Sequence, residues 1–356
     1  MEIIYQEEKK PEKIYKMYQE IFQDPESFAE YYFHDVYPGN QVVLAREGEE
    51  ILGMVHLNPY KIKTGSKSYN LNYIVAVAVQ REHRRRGIMA QMLVKSLCDM
   101  QKKHQPFTYL MPADRAYYEP FQFAFVMDWN ECEIEGEQKQ VSGEICSVKQ
   151  EEYSEISAFL AEALVQYGVY TIPDENYLRR LEKECQSSRG GIYKFCDKGE
   201  LLGVFAESVD SKEVSVTWAF SKEPQKMLQK IRDRYAHQKI QLVGGNLLEG
   251  EKNPRIMARI VCLESWGEIL KGSEDFRFFL KVDDFWIPEN HGVFQFQCQN
   301  ENITITPVRK DSWEDNVGIE ELTQVFFGYD TDLILKKHPL LTKIVPVDPV
   351  YISEEV

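Results

Sequence analysis

Along this chain of 356 residues the apolar positions change period several times, and each change marks an element. Residues 2 to 6 read as a short strand and 11 to 22 as a helix, followed by a helical aromatic stretch, Phe28-Ala29-Glu30-Tyr31-Tyr32-Phe33. Strands are predicted at about 41 to 46, 51 to 65 and 68 to 79, with turn signals at Arg46-Glu47-Gly48 and Thr64-Gly65-Ser66. The third ends in Ile74-Val75-Ala76-Val77-Ala78-Val79, which has no polar face and is expected inside a sheet covered on both sides. A helix follows with Ile88, Met92, Leu93, Leu97 and Met100 at helical spacing. Lys102-Lys103-His104 suits its C-terminal end, Pro106 stops it, and Phe107-Thr108-Tyr109-Leu110-Met111 is the next strand.

Between strand and helix stands Arg84-Arg85-Arg86-Gly87. Cations are disfavoured at the positive end of a helix dipole, by some tenths of a kcal/mol each. No Ser, Thr, Asp or Asn is close enough before Gly87 to cap the free backbone N–H groups. A bound anion of pyrophosphate size would answer both faults.

A short repeat appears further on. Glu50-Ile51-Leu52-Gly53-Met54-Val55 recurs as Glu200-Leu201-Leu202-Gly203-Val204-Phe205. The second copy is followed by a strand (Val214 to Phe220), a helix from about Pro224 to His237 and a strand from Lys239 to Val243, the same order as in the first half. Its strand-to-helix turn is Ser221-Lys222-Glu223-Pro224, which lacks the glycine, adds an acid and loses a backbone donor to proline. The second copy is therefore not expected to bind the anion. The last hundred residues alternate as Phe276 to Val282, Gly292 to Phe296 and Asn302 to Thr306, a small twisted sheet with covering helices near 318 to 327 and 331 to 337.

A net charge of −15 argues against a nucleic-acid partner and would help steer a cationic substrate inward. Seven cysteines without a C-x-x-C pair suit reduced thiols, and no metal site is expected. The N-terminus has no signal-peptide pattern and no apolar run is long enough to span a bilayer, so a cytoplasmic protein with no membrane partner is expected.

The pattern V-x-V-x-x-x-x-R-R-R-G-I from Val77 to Ile88, followed by Tyr118-Glu119-Pro120-Phe121-Gln122-Phe123, resembles the GCN5-related N-acetyltransferases (GNAT). The whole layout is similar to their Eis-like (enhanced intracellular survival) branch, with Pro254 to Ile260 similar to the segment entering its last domain. The resemblance implies an α+β chain: an active GNAT domain at 1–135, a degenerate GNAT-like domain at 136–255 and a small sterol-carrier-like α/β domain at 256–356. It implies acetyl-CoA as cosubstrate, held by Val77, Ala78 and Val79 and by Arg85, Arg86, Gly87, Ile88, Met89 and Ala90, with Ala113 and Asp114 beside its thiol end. Met89 replaces the last small residue of the family's loop. Tyr118 matches the tyrosine that protonates the departing thiolate, and Val356 the terminal residue whose α-carboxylate acts as base. A homo-oligomer, a hexamer by resemblance, is implied too.

A free alkyl amine has a pKa near 10.4, so its acetylation needs a proton acceptor, which a desolvated carboxylate can provide. The expected reaction is direct transfer to a cationic primary amine of the aminoglycoside, polyamine, peptide or lysine class. Asp24, Glu354 and Glu355 are candidate acids for its pocket. The alternative is a non-catalytic carrier of an apolar ligand that uses the C-terminal domain.

Overall fold

The computed structural model describes residues 1–6, 11–134, 140–209, 213–235 and 238–355. In the first part β1 (Glu2–Tyr5), α1 (Pro11–Phe22) and α2 (Glu26–Tyr31) lead into β2 (Gln41–Glu47), β3 (Glu50–Thr64) and β4 (Lys67–Val79). Then come α3 (Ile88–Lys102), β5 (Phe107–Leu110) and β6 (Ala124–Glu133). The second part holds β7 (Glu144–Ser147), α4 (Tyr153–Leu164), β8 (Val169–Thr171), α5 (Glu175–Ser187) and β9 (Gly191–Asp197). It continues with β10 (Glu200–Val209), β11 (Glu213–Ser221), α6 (Pro224–Arg234) and β12 (Lys239–Val243). After β13 (Glu251–Ile260) come β14 (Lys271–Gly272), β15 (Phe276–Asp283), β16 (Gly292–Gln299), β17 (Asn302–Pro307) and β18 (Asp315–Gly318). The chain closes with α7 (Ile319–Phe327), α8 (Asp332–Lys337), β19 (Ile344–Val345) and β20 (Val350–Tyr351).

One mixed sheet runs through the first two parts in the order β1-β2-β3-β4-β5-β13-β6-β12-β11-β10-β9-β7. The segment that resembles the entrance to the last domain is thus β13, inserted between β5 and β6 and antiparallel to both. A second sheet is ordered β18-β15-β16-β17-β14-β19. The expectation that both late helices cover this second sheet holds only in part, because α7 packs on β13 and β6 of the large sheet. Its buried residues, from Ile319 through Phe327, point in more than one direction, as suits a helix enclosed on several sides. Trp266, Phe326, Phe327 and Phe107 of β5 form one aromatic cluster with ring centroids 5.0–5.8 Å apart.

The repeated hexapeptide marks equivalent places in two copies of one motif. Gly53 pairs with Val79 and Gly203 with Ser221, and in both ladders the register then slips by a bulge. The bulged residues are Ala76 (φ +49°) and Trp218 (φ +51°). Each glycine lies under a methionine of the following helix: a Cβ on Gly53 would stand 2.8 Å from Met92 Cε and one on Gly203 2.3 Å from Met227 Sδ. The apolar run 74–79 is not covered evenly. Ile74, Ala76 and Ala78 are buried, while Val75, Val77 and Val79 are only half-buried.

The copies differ beyond the bulge. In the second, β11 runs parallel to β12 from Glu213 to Val216, and the loop after β12 folds back across the strand end. Asn246 N donates to Ala219 O at 3.0 Å, Ser221 N to Asn246 Oδ1 at 2.9 Å, and Asn246 Nδ2 to Ser221 O at 3.1 Å. This approach needs Gly245, at φ +79°, where a Cβ would lie 2.0 Å from Ala219 O. Gly245→Ala should therefore cost about 2–3 kcal/mol of stability from overlap and backbone strain. Gly199→Ala, at φ +82° in open space, should cost about 1 kcal/mol. Urea unfolding of the two variants measures the difference, and equal losses would refute the close-approach argument.

Candidate active site

In the first copy the same strand end stays open. The parallel pairing of β4 with β5 consists of Tyr73 opposite Tyr109, and past that point the strands part. By the alignment of bulges, Val77, Ala78 and Val79 stand where Ala219, Phe220 and Ser221 stand in the second copy. With the pair Tyr73–Tyr109 set on the pair Ser215–Gln241, Met111, Pro112, Ala113 and Asp114 stand where Val243, Gly244, Gly245 and Asn246 stand in the second copy. Pro112 and Ala113 in place of the left-handed Gly244 and Gly245 oppose the same fold-back. Asp114 turns away and accepts from Ala116 N at 2.9 Å, capping the turn Arg115–Tyr117. Its carboxylate is thus occupied by the turn, while Ala113 and Asp114 both remain exposed. Among the described residues Val77 O and Val79 N, which match the Ala219 O and Ser221 N that Asn246 uses in the second copy, take no partner from the loop after β5 and are open to amide groups of a ligand, whereas Val79 O, the match of Ser221 O, is taken by Arg84.

The arginine turn closes one end of this opening. Arg84 Nε donates to Val79 O at 3.1 Å and the Arg86 guanidinium lies 2.8 Å from His83 Nδ1. Arg85 (φ +61°) and Gly87 (φ +75°) are both left-handed, and Arg84 to Gly87 are exposed. Helix α3 starts with no side-chain cap. Ile88 is buried in the core, so only its backbone is available, and Met89 and Ala90 are half-buried. Successive N–H groups in such a turn at a helix start make a concave anion site.

At the other end, three elements meet at Tyr73. Tyr118, on a double turn after β5, is 9% exposed and packs edge-on to Phe123 with centroids 6.0 Å apart. Burial, with a smaller contribution from Tyr117, pushes its phenol up to about 12, so it holds its proton at neutral pH. Tyr118 lies close enough to Tyr73 to disfavour that residue's ionisation. The Tyr73 hydroxyl donates to Glu355 O at 3.3 Å, bringing the end of the chain to the fork between β4 and β5. The tail is held by Trp129 Nε1 donating to Ile352 O at 3.1 Å and by β20 lying parallel to β8. Val356 lies outside the described residues.

Beside the tail lies a nearly filled polar chamber, with free space of only about 10 Å³, that sequence reading reached only through Glu354. It is lined by Tyr60, Tyr177, Arg180, Leu181, Glu184, Ser353 and Glu354. Glu354 accepts from Tyr177 Oη at 3.2 Å, and burial raises its carboxyl above the usual range. The Arg180 guanidinium stands 4.4 Å from the centre of the Tyr60 ring. Glu184 accepts from Tyr31 Oη at 3.1 Å, and burial raises it to about 7, against a smaller lowering by Arg180. Tyr31 is shared with an open cleft between α1, α2 and α5, lined also by Glu30, Asp35 and Lys183, of about 850 Å³. The chamber residues on α5 were missed because nothing local in 175–187 marks them. Asp24 instead accepts from Tyr18 Oη at 2.5 Å and is absent from both linings. Cys98 on α3 is half-buried. Among the described residues there is no group of three or more metal-ligating side chains, and no helix long and apolar enough to cross a membrane.

Residues 2–126 match the acetyltransferase (GNAT) domain family. With that domain, the protein is an enzyme of the N-acetyltransferase class. No curated protein matches the chain in sequence. Among solved structures, a conserved protein from Enterococcus faecalis V583, described as a probable N-acyltransferase, superposes with a TM-score of 0.80 at 17% identity, covering 97% of this chain and 93% of that one. A GCN5-related N-acetyltransferase from Anabaena variabilis ATCC 29413 gives 0.76 at 16% identity, over 97% and 94%. Eis1 from Mycobacterium abscessus gives 0.68 at 13% identity, over 98% and 94%. At these identities the likeness is one of fold, and it extends over the full chain.

Glu184 supplies a pH test of the chamber. Its carboxyl titrates near 7 in the folded protein against a reference of 4.5, so folding favours the protonated form. Its stabilising contribution is full below pH 4.5 and is lost as pH rises to about 7. Urea unfolding below pH 5 and above pH 7 should show the wild type losing more stability across that window than Glu184→Gln. Equal losses would place the residue in water.

Proposed function

We propose that the protein transfers an acetyl group from acetyl-CoA directly to a cationic primary amine of the aminoglycoside, polyamine or lysine class. The observation that carries this reading is the contrast between the two copies. Where Asn246 bonds Ala219 O and Ser221 N in the second, Ala113 and Asp114 leave the matching Val77 O and Val79 N of the first unfilled, and Arg84 of the arginine turn takes Val79 O. In this reading Val77, Ala78 and Val79 hold the pantetheine amides. The N–H groups from Arg85 through Ala90, with Gly87, Ile88 and Met89 between, hold the pyrophosphate, whose charge the arginines balance. Ala113 and Asp114 border the thiol end through backbone, since the Asp114 side chain is committed to its turn. Acetyl-CoA supplies the activated acyl group.

Tyr118 is the proton donor. A phenol that keeps its proton to about 12 is always in the donating form at neutral pH, and it stands beside Tyr73 at the fork. The α-carboxylate of Val356 is the base, delivered by a tail whose preceding residues already reach Tyr73. The open cleft beside α2 and α5 is the acceptor's way in, with Glu184 and Glu354 as the acids that favour a cation. Ionisation of Glu184 on amine binding would add an attraction absent from the free protein. The same reading takes the three-part division at 135 and 255, the Eis-like branch, the sterol-carrier-like last part and a hexameric assembly.

The test is thiol release from acetyl-CoA with a panel of aminoglycosides, polyamines and lysine peptides. Turnover is expected with at least one amine class. Tyr118→Phe, checked for folding by circular dichroism, should lower kcat about 10²–10⁴-fold. Extending the chain a few residues past Val356 should abolish turnover while acetyl-CoA binding is kept. Full turnover by Tyr118→Phe would remove the proton-donor role, and silence with every amine would favour the carrier alternative.

A further inference from the structure

The turn that carries Tyr118 is short and has little to hold it from within. Phe121 N donates to Tyr118 O and Gln122 N to Glu119 O, both at 2.9 Å, and Gln122 sits at φ +59°. Its remaining polar groups are taken up by the chain from β13 onward. Arg259 Nε donates to Phe121 O at 2.7 Å and Trp286 Nε1 to Pro120 O at 2.8 Å. Gln122 Oε1 accepts from Phe285 N at 2.8 Å, and Gln122 Nε2 donates to Glu320 Oε2 at 2.7 Å and to Asp283 O at 3.1 Å. The Phe121 ring packs on Trp286 with centroids 5.2 Å apart.

Arg259 is the centre of this arrangement. Besides Phe121 O it donates to Ile260 O at 2.8 Å and to Asp284 Oδ1 at 2.5 Å. Asp284 in turn accepts from Trp286 N, Ile287 N and Asn290 Nδ2 at 2.8–3.1 Å. Both charged side chains are 0% exposed. A buried ion pair is a weak source of stability, since desolvation offsets most of its attraction. What this pair does supply is a fixed geometry, because a planar guanidinium with its donors satisfied permits one placement of each acceptor.

We propose that Arg259, with Trp286, is a positioning device for Tyr118, so that the chain after β13 sets the catalytic turn in place. The inference rests on Tyr118 acting as proton donor. The carbonyls of residues 120 and 121 are anchored to a part of the chain distant in sequence, and Tyr118 is hydrogen-bonded through its own carbonyl to Phe121 N. A shift of the anchors therefore moves the phenol.

The experiment is a kinetic double-mutant cycle in the full-length protein. Trp286→Phe keeps the ring on Phe121 and removes one donor, and Arg259→Lys keeps the charge and loses the fork. Each should lower kcat about 10–100-fold, with the acceptor KM and the acetyl-CoA Kd within about twofold of wild type. On a Tyr118→Phe background neither should lower kcat further. Unchanged kcat in Trp286→Phe, or an equal loss with and without the Tyr118 hydroxyl, would overturn the proposal. Arg259→Lys is buried, and should it fail to fold, Trp286→Phe alone decides. The Tyr118→Phe single variant tests the proton-donor reading separately, so the two failures are distinguishable.

Discussion

The structure depends on how the edge of β4 is dealt with past Tyr73. A strand that leaves its ladder exposes backbone N–H and C=O groups, and these must find partners or water. The bulge at Ala76 and the single parallel pair at Tyr73 and Tyr109 create that unpaired length in the first copy. In the second copy the matching length is consumed by the loop after β12, which can approach because residue 245 is glycine. Two positions, left-handed Gly244 and Gly245 against Pro112 and Ala113, thus distinguish a closed scaffold from an open site built on the same plan.

The open copy is surrounded by elements from elsewhere in the chain. Strand β13 enters between β5 and β6, the tail crosses to β8 and Tyr73, and α5 lays Arg180 and Glu184 against Tyr60 and Tyr31. Charges are buried at these joins: Arg259 with Asp284 behind the Tyr118 turn, and the Arg180, Glu184 and Glu354 group beside the tail. Burial of charge is costly unless every group is partnered. Such groups specify how separate parts of the chain meet more than they strengthen the core.

Electrostatically the molecule is acidic overall, with a local basic turn. At −15 the surface disfavours polyanions, while three arginines at one helix start favour a compact anion held by backbone as well as charge. The acceptor side has the opposite character, with carboxyls whose ionisation is suppressed by burial in the free protein. A bound cation would draw their protons off.

Periodicity by itself determined the strands and helices of the first part, the arginine turn and the repeated hexapeptide, because these depend on residues near one another. The spacing of Tyr118 to Phe121 and Phe123 was legible for the same reason. It could not tell that Val75, Val77 and Val79 remain partly open, since the cover over each face of a strand is supplied by other segments of the chain. Nor could it place β13 inside the large sheet, α7 between two layers, or Arg180, Glu184 and Arg259 at the site. Those positions follow from pairings between segments up to hundreds of residues apart, where the burial of a polar side chain is set by what the rest of the fold brings against it.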